Sequence, residues 1–413
     1  MSHPSTPRPT TPQAPLPAGR LRLVILAMSL GAFAIGTTEF ASMGLLPQIA
    51  RDLEVSIPQA GMLITLYALG VVIGAPLVTI AAVRLPRARL LMLLIALIGV
   101  GNLLSAMAPD FTILAAARFV SGLPHGAYLG IGAVVAASLV PANRRGRAMS
   151  RVMLGLTIAN IFGVPFAAAL GNMFGWRSAY ALVAGLGVLT VIMVAVGVPR
   201  VKLGAVPSAR GEIKALGRAQ IILTLVAGSV GFGGMFAVYT YITPTMTDVA
   251  GVPGVAIPWV LAVYGLGMTA GSLIAGPLVD KSIERSATGG MILSALVLAA
   301  FGAFTHIAAV AIIALFLIGV SGSMITTALQ MRLFRESHDA PSLSAAMNHA
   351  AFNLANALGA WLGGIVITAG LGYRAPAWVG VGLCLAGLIV ISIAIFLRRG
   401  GSTDPRTRTS VET

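Results

Sequence analysis

Charge is scarce in this sequence. Of 413 residues, 9% are Asp, Glu, Lys or Arg, whereas 57% are hydrophobic. A soluble domain carries about 25% charged residues. This chain cannot coat a large water-facing surface, which excludes a soluble enzyme; whole-chain disorder, a collagen and a coiled coil fail for the same reason. Cysteine is reduced to Cys384, so there is no disulfide framework and no cysteine-based metal site. Carboxylate clusters and histidine pairs at ligand spacing are also absent, and no metal or other cofactor is expected. A Gly-x4-Gly-Lys-Ser/Thr loop is missing, which excludes direct drive by ATP. No Gly-x-Ser-x-Gly element or metalloprotease signature suggests an intramembrane enzyme. The apolar stretches lack the alternation of barrel strands.

Long, nearly uncharged runs fill the chain instead, such as Met62–Val83 and Ala377–Leu397. In lipid such runs must be helical, because every backbone polar group needs an internal partner. Twelve spans of roughly 20 residues follow: 21–46, 59–83, 88–108, 111–137, 149–171, 177–198, 219–244, 257–279, 287–305, 308–330, 342–369 and 376–397. Residues 1–20, with six prolines, read as a disordered tail, and residues 398–413 as a second tail.

The net charge of +15 does not point to nucleic acid, because the cations fall in short clusters between spans. With the N-terminus in the cytoplasm, 23 cations lie on the inner side and only Arg51, Arg177 and Arg374 on the outer side. That asymmetry puts both termini in the cytoplasm of a bacterial inner-membrane protein. Arg118 is left as the one cation within a span.

The sequence also repeats. Ile57-Pro58 recurs as Ile257-Pro258, Pro76-Leu77-Val78 as Pro277-Leu278-Val279, Ala159-Asn160 as Ala355-Asn356, and Gly175-Trp176-Arg177 as Gly372-Tyr373-Arg374. Order and offset are preserved, and each match falls six spans later, so the repeats are parallel. The chain is expected to be an all-α polytopic membrane protein. Two six-helix halves, residues 21–198 and 219–397, are joined by a cytoplasmic linker at 199–218.

This plan resembles the major facilitator transporters, whose substrate site lies near the midplane between halves. Thr37-Thr38-Glu39-Phe40 followed by Gly44-Leu45-Leu46-Pro47, together with Gly155-Leu156-Thr157, Gly163-Val164-Pro165 and Tyr241-Ile242-Thr243-Pro244, is similar to the bacterial drug:proton antiporter branch with twelve spans. Arabinose-efflux-like and chloramphenicol-exporter-like members are nearest. The resemblance implies alternating access, proton-driven export of phenicol-, sugar- or purine-like solutes, and a monomer. Its partners would be a small molecule, protons and the bilayer. A proton-coupled importer, a facilitator, and a non-transporting receptor are the alternatives; a receptor should carry a large soluble domain, and the linker is too short for one.

Glu39 is the only acid placed well inside a span. An intramembrane carboxylate is costly and marks a functional site by default. Arg118, in Arg118-Phe119-Val120-Ser121-Gly122, resembles the arginine of the family's fourth-helix motif. Counted at about 1.5 Å per residue, Glu39 and Arg118 reach similar depth, as a proton switch or as a static ion pair. His125, seven residues after Arg118, and His349, which opens the stripe His349, Asn353, Asn356, are further proton-coupling candidates. Tyr239, Asn160, Asn356, Asn353 and Tyr241 are the expected substrate contacts, among polar groups that include Tyr67, Thr243 and Tyr264. The resemblance implies a gate motif between the second and third spans of each half. Gly276, Asp280 and Lys281 fit it in the second half. The first half keeps Gly74 and Arg84 but has Val78 where the family has Asp.

Overall fold

A computed structural model describes residues 17–81, 85–199, 217–336 and 341–401 of the chain. Twelve of its helices are long and apolar enough to cross a bilayer: α1 (Ala18–Gly44), α2 (Ile57–Val78), α3 (Arg87–Met107), α4 (Phe111–Ser138), α5 (Arg145–Phe174), α6 (Arg177–Gly197), α7 (Ala219–Thr240), α8 (Gly254–Lys281), α9 (Ile283–Phe304), α10 (Ala308–Glu336), α11 (Met347–Thr368) and α12 (Ala375–Arg398). No strand occurs among the described residues. They are the twelve expected spans. Most of the first tail, the linker and the second tail lie outside the described residues.

Helices do not end where apolar composition ends. The chain turns helical at Ala18 rather than 21, α5 starts at Arg145 rather than 149, and α10 runs to Glu336 rather than 330. Helical backbone satisfies its own polar groups, and arginine stems can lie along apolar surface with their heads toward water. A consequence corrects the expectation for Arg118: Arg332, within α10, is also fully buried.

The halves repeat in packing as well as in sequence. α1 packs on α5 and α6, α2 on α4, and α3 on α4 and α6. Six helices on, α7 packs on α11 and α12, α8 on α10, and α9 on α10 and α12. The halves meet mainly through α2 with α11 and α5 with α8, which the repeat interchanges. The turn motif is repeated too. Gly175 and Gly372 adopt φ of 85° and 74°, a left-handed conformation that glycine enters without steric cost. Each sets an arginine over the end of a neighbouring helix, where carbonyls lack intrahelical partners. Arg177 Nη2 donates to Ala108 O at 3.0 Å, after α3. Arg374 Nε donates to Gly302 O at 2.8 Å, in the last turn of α9.

Three helices depart from regularity. α4 breaks between Gly122 and His125, where Pro124 cannot supply a backbone N–H. α5 contains a π-helical turn at Ala159–Gly163. α7 is interrupted at Phe232 and Tyr241 and continues as Ile242–Pro244 and a π turn at Thr245–Val249. The π turns of α5 and α7 lie on the inter-half surface, in keeping with the use of π turns near functional sites.

Candidate functional site

In the first half a buried polar layer separates two apolar clusters. Ile35, Ile98 and Ala127 belong to one cluster; Leu45, Ala108 and Leu114 belong to the other. Between them lie Thr38, Glu39 and Ser42 of α1, Asn102 and Ser105 of α3, and Arg118 and Ser121 of α4, all buried. Arg118 donates from Nη1 to Thr38 Oγ1 at 2.8 Å and from Nη2 to Thr38 O at 3.0 Å. Thr38 Oγ1 in turn donates to Asn102 Oδ1 at 2.5 Å. The guanidinium carbon lies 4.3 Å from the Tyr67 ring centroid and 5.2 Å from that of Tyr180, distances at which a ring face stabilises a cation. A carbonyl, a hydroxyl and two rings therefore hold the charge.

Glu39 follows Thr38 in the chain but turns to the other half. No direct ion pair joins it to Arg118, whose Nη1 and Nη2 are engaged by Thr38 and whose Nε is buried without a partner; Asn356 of α11 faces it from the other half. Next in sequence, Phe40 stacks with Phe236 and meets Tyr239 edge-on at 5.8 Å. Tyr239 stacks on Tyr264 of α8 at 4.0 Å. Glu39 thus stands where α1 meets an aromatic wall of the second half.

The three asparagines share one feature. Asn160 Nδ2 donates to Leu156 O at 3.0 Å and Asn353 Nδ2 to His349 O at 3.1 Å, both within their own helices. Asn160 Oδ1, Asn353 Oδ1 and both amide atoms of Asn356 are buried without a well-formed hydrogen bond. A buried polar atom left unpaired costs roughly 1–3 kcal/mol, and such atoms call for an explanation. Asn160 sits on the π turn of α5, and Gly265 of α8 lets that backbone approach closely: a Cβ there would lie 2.3 Å from Asn160 O.

The histidines are brought together across the halves. Tyr67 Oη and His125 Nδ1 are 2.9 Å apart, and the rings of His125 and His349 are 6.3 Å apart. Thr38, Arg118, Tyr67, His125 and His349 form a continuous polar line from α1 to α11.

Tyr241 is set apart from this group. Its hydroxyl donates to Ala360 O at 2.8 Å, and its ring lies between Gly61 of α2 and Gly364 of α11. Beside it, Thr243 Oγ1 reaches Gly44 O at 3.1 Å and Met43 O at 3.3 Å, carbonyls at the end of α1. These contacts floor a cavity of about 820 Å³ lined by Gln48, Arg51, Asn172, Thr247 and Asp248 among others. The halves are closed on the face that carries Asp52 and Asp248.

Of the gate candidates, Gly74 is buried against Leu123 of the α4 break. Gly276 has open space around it, and Asp280 and Lys281 are exposed at the end of α8. Arg84 lies outside the described residues. The sequence reading passed over one cluster at the same end. Arg332 donates to Gln220 at 2.7 Å and Thr224 at 3.0 Å, and Glu284 gathers Arg332, Arg335 and Arg398. Its members come from α7, α9, α10 and α12, too far apart in sequence to show any pattern.

The Major Facilitator Superfamily model matches residues 28–349 and 256–412. The chain belongs to that superfamily. It is 40% identical over 385 residues to the inner membrane transport protein YdhP of Escherichia coli K12, covering 93% of this chain and 98% of that relative. It is 31% identical over 406 residues to the chloramphenicol efflux pump Rv0191 of Mycobacterium tuberculosis, covering 94% of each. Among solved structures it resembles the D-xylose-proton symporter with a TM-score of 0.72 at 17% identity, covering 90% of this chain and 97% of that one. This facilitator is a transporter, not an enzyme, and its twelve apolar helices are those of a multi-pass bacterial inner-membrane protein. Superfamily members bind their cargo near the bilayer midplane, at the interface between the halves.

Proposed function

We propose that the protein is a proton antiporter that exports a small organic solute. The observation that carries this reading is Glu39: a buried carboxylate on α1, next in sequence to the Thr38 that holds Arg118 and faced by Asn356 of the other half. Protonation removes a charge from the contact between halves, so the two packings of those halves respond to it differently. Solute and proton then bias one equilibrium in opposite directions, which is the energetic content of antiport. Arg118 tunes the carboxylate, and His125 with His349 carries protons between Glu39 and the arginine-rich face.

The orphaned amides of Asn160, Asn353 and Asn356 suit a solute that supplies both hydrogen-bond donors and an acceptor. Tyr239, Tyr264 and Phe40 suit an apolar or ring portion beside them. Phenicol-, sugar- and purine-like molecules fit that description, and the relatives named as chloramphenicol efflux pumps support the outward direction. The arginine-rich face is cytoplasmic on the positive-inside pattern, the Asp52 face is outer, and the functional unit is a monomer. The boundaries 21–198 and 219–397 define the two halves, and Asp280 with Lys281 forms the cytoplasmic gate.

The test uses purified protein in liposomes with an imposed pH gradient, screened with those three solute classes. The parent should accumulate one of them against its gradient only while the pH gradient lasts. Glu39→Gln keeps the shape but fixes a neutral side chain. It should still equilibrate the solute and lose accumulation. Full pH-driven accumulation by Glu39→Gln at normal abundance removes Glu39 as the proton carrier.

A further inference from the structure

The arginine-rich face of the first half has no acid of its own. Up to residue 198 the acids are Glu39 in the interface and Asp52, Glu54 and Asp110 at the opposite face. Arg87 and Arg89 begin α3, and Arg144, Arg145, Arg147 and Arg151 form the α4–α5 connection and the start of α5. Five of the six are exposed and Arg87 is half-buried. None of their side chains makes a hydrogen bond, ion pair or ring contact among the described residues.

The six stand on one surface. Ala88 and Leu91 of α3, Val135 and Ala136 of α4, and Ala148 and Val152 of α5 share a single apolar cluster, which packs the three helix ends together. Below the arginines the helices turn apolar side chains outward: Leu93 and Val100 on α3, and Leu154 on α5, are each at least half exposed. A cationic rim above an exposed apolar wall has the profile of a phospholipid, with phosphate at the rim and acyl chain along the wall. The second half is built otherwise, since Glu284 and Glu336 already engage Arg335 and Arg398.

We propose that the arginine face of the first half, at Arg87, Arg89, Arg144, Arg145, Arg147 and Arg151, is a binding surface for anionic phospholipid headgroups of the inner leaflet. Juxtamembrane clusters of four to eight such cations attract anionic lipid strongly. The assignment to the inner leaflet rests on the orientation proposed above. The lipid contact itself does not depend on the direction or coupling of transport, so the two readings fail separately.

The test reconstitutes the full chain in nanodiscs of phosphatidylethanolamine mixed with either phosphatidylglycerol or phosphatidylcholine. Native mass spectrometry then counts the lipids retained on release. The parent should retain phosphatidylglycerol in preference to phosphatidylcholine, and rising salt should erode the preference. The triple variant Arg144→Gln, Arg145→Gln, Arg147→Gln should lose about a hundredfold of it, at about fivefold for each surface cation facing anionic lipid. The corresponding Arg→Lys triple, which keeps charge and topology, should retain it. Arg398→Gln, in the second half, where Glu284 and Glu336 already engage the cation, should leave it unchanged.

No preference in the parent, or an equal preference in the Gln triple, overturns the proposal. Should the Gln triple fail to insert, a salt-independent preference in the parent overturns it instead. Displacement of the retained lipid by inorganic phosphate would make the surface a free-phosphate site and overturn the lipid assignment.

Discussion

The two halves share a packing plan and differ in where they bury an arginine. In the first half Arg118 lies mid-chain in α4, between two apolar clusters, held by Thr38 and two tyrosine rings. In the second half one apolar cluster runs continuously from α7 to α12, and the buried arginine, Arg332, sits near the end of α10 beside Glu284. One half thus places its cation beside the inter-half surface, where it acts on Glu39. The other uses its cation to tie four helix ends together. The same fold can divide the two tasks because a rigid bundle needs an anchored end, whereas the proposed proton switch needs a charge near the interface between halves.

Replacing each arginine by alanine separates these tasks and should give the largest effects. Arg118→Ala should reduce transport per molecule to near background, since Glu39 loses its nearby cation. Arg332→Ala leaves Arg335 and Arg398 on Glu284, so the cost is that of unpaired buried hydrogen-bonding groups, about 1–3 kcal/mol. It should lower Tm and abundance while transport per molecule stays near the parent's. Equal loss of transport per molecule in both variants would erase the distinction.

The closure on the Asp52 face tests whether the halves move as bodies. A Cβ at Gly61 would lie 2.4 Å from Tyr241 Oη, so Gly61→Val wedges α2 away from α7. It should raise the reactivity of Thr243→Cys toward an impermeant thiol reagent several-fold. Unchanged reactivity would mean that this seam does not open as one contact.

The gate is the next comparison. Asp280 stands four residues after Gly276, at the exposed end of α8, while Val78 stands four residues after Gly74 in α2. Asp280→Asn should slow transport a few-fold at normal abundance, and Val78→Asp should be tolerated. The reverse pattern would move the gate to the first half.

The smallest effect belongs to the turns on the Asp52 face. Arg177 pairs with Asp52 in the first half, and Arg374 has only carbonyls in the second. The Arg177 guanidinium and the Trp176 indole hold the Asp52 carboxyl below the usual carboxylate range. A lowered folded value contributes stability above the unfolded pKa of about 3.9, and that stability is lost as pH falls through the folded value. Asp52→Asn should therefore cost less than about 1 kcal/mol of stability at neutral pH for so exposed a pair, read as a lowered Tm. The difference from the parent should vanish in acid; a difference that persists there would assign the effect to something other than the ion pair.

Much of the architecture was legible without coordinates. Lipid admits few backbone solutions, so low charge and apolar run length sufficed for twelve helices, and the repeat sufficed for their division into two parallel sixes. The same chemistry singled out Glu39 and Arg118, because an ionised side chain in a span is rare enough to be noticed alone. What the sequence determined, then, is whatever one helix and its solvent dictate. The tertiary structure decided the rest: that Arg118 donates to Thr38 instead of Glu39, that His125 meets His349, that Tyr241 closes the Asp52 face, and that Glu284 gathers three arginines. Each depends on which helices are neighbours and how they are rotated, and hydrophobic burial in a uniformly apolar helix leaves almost no periodicity from which to read that rotation.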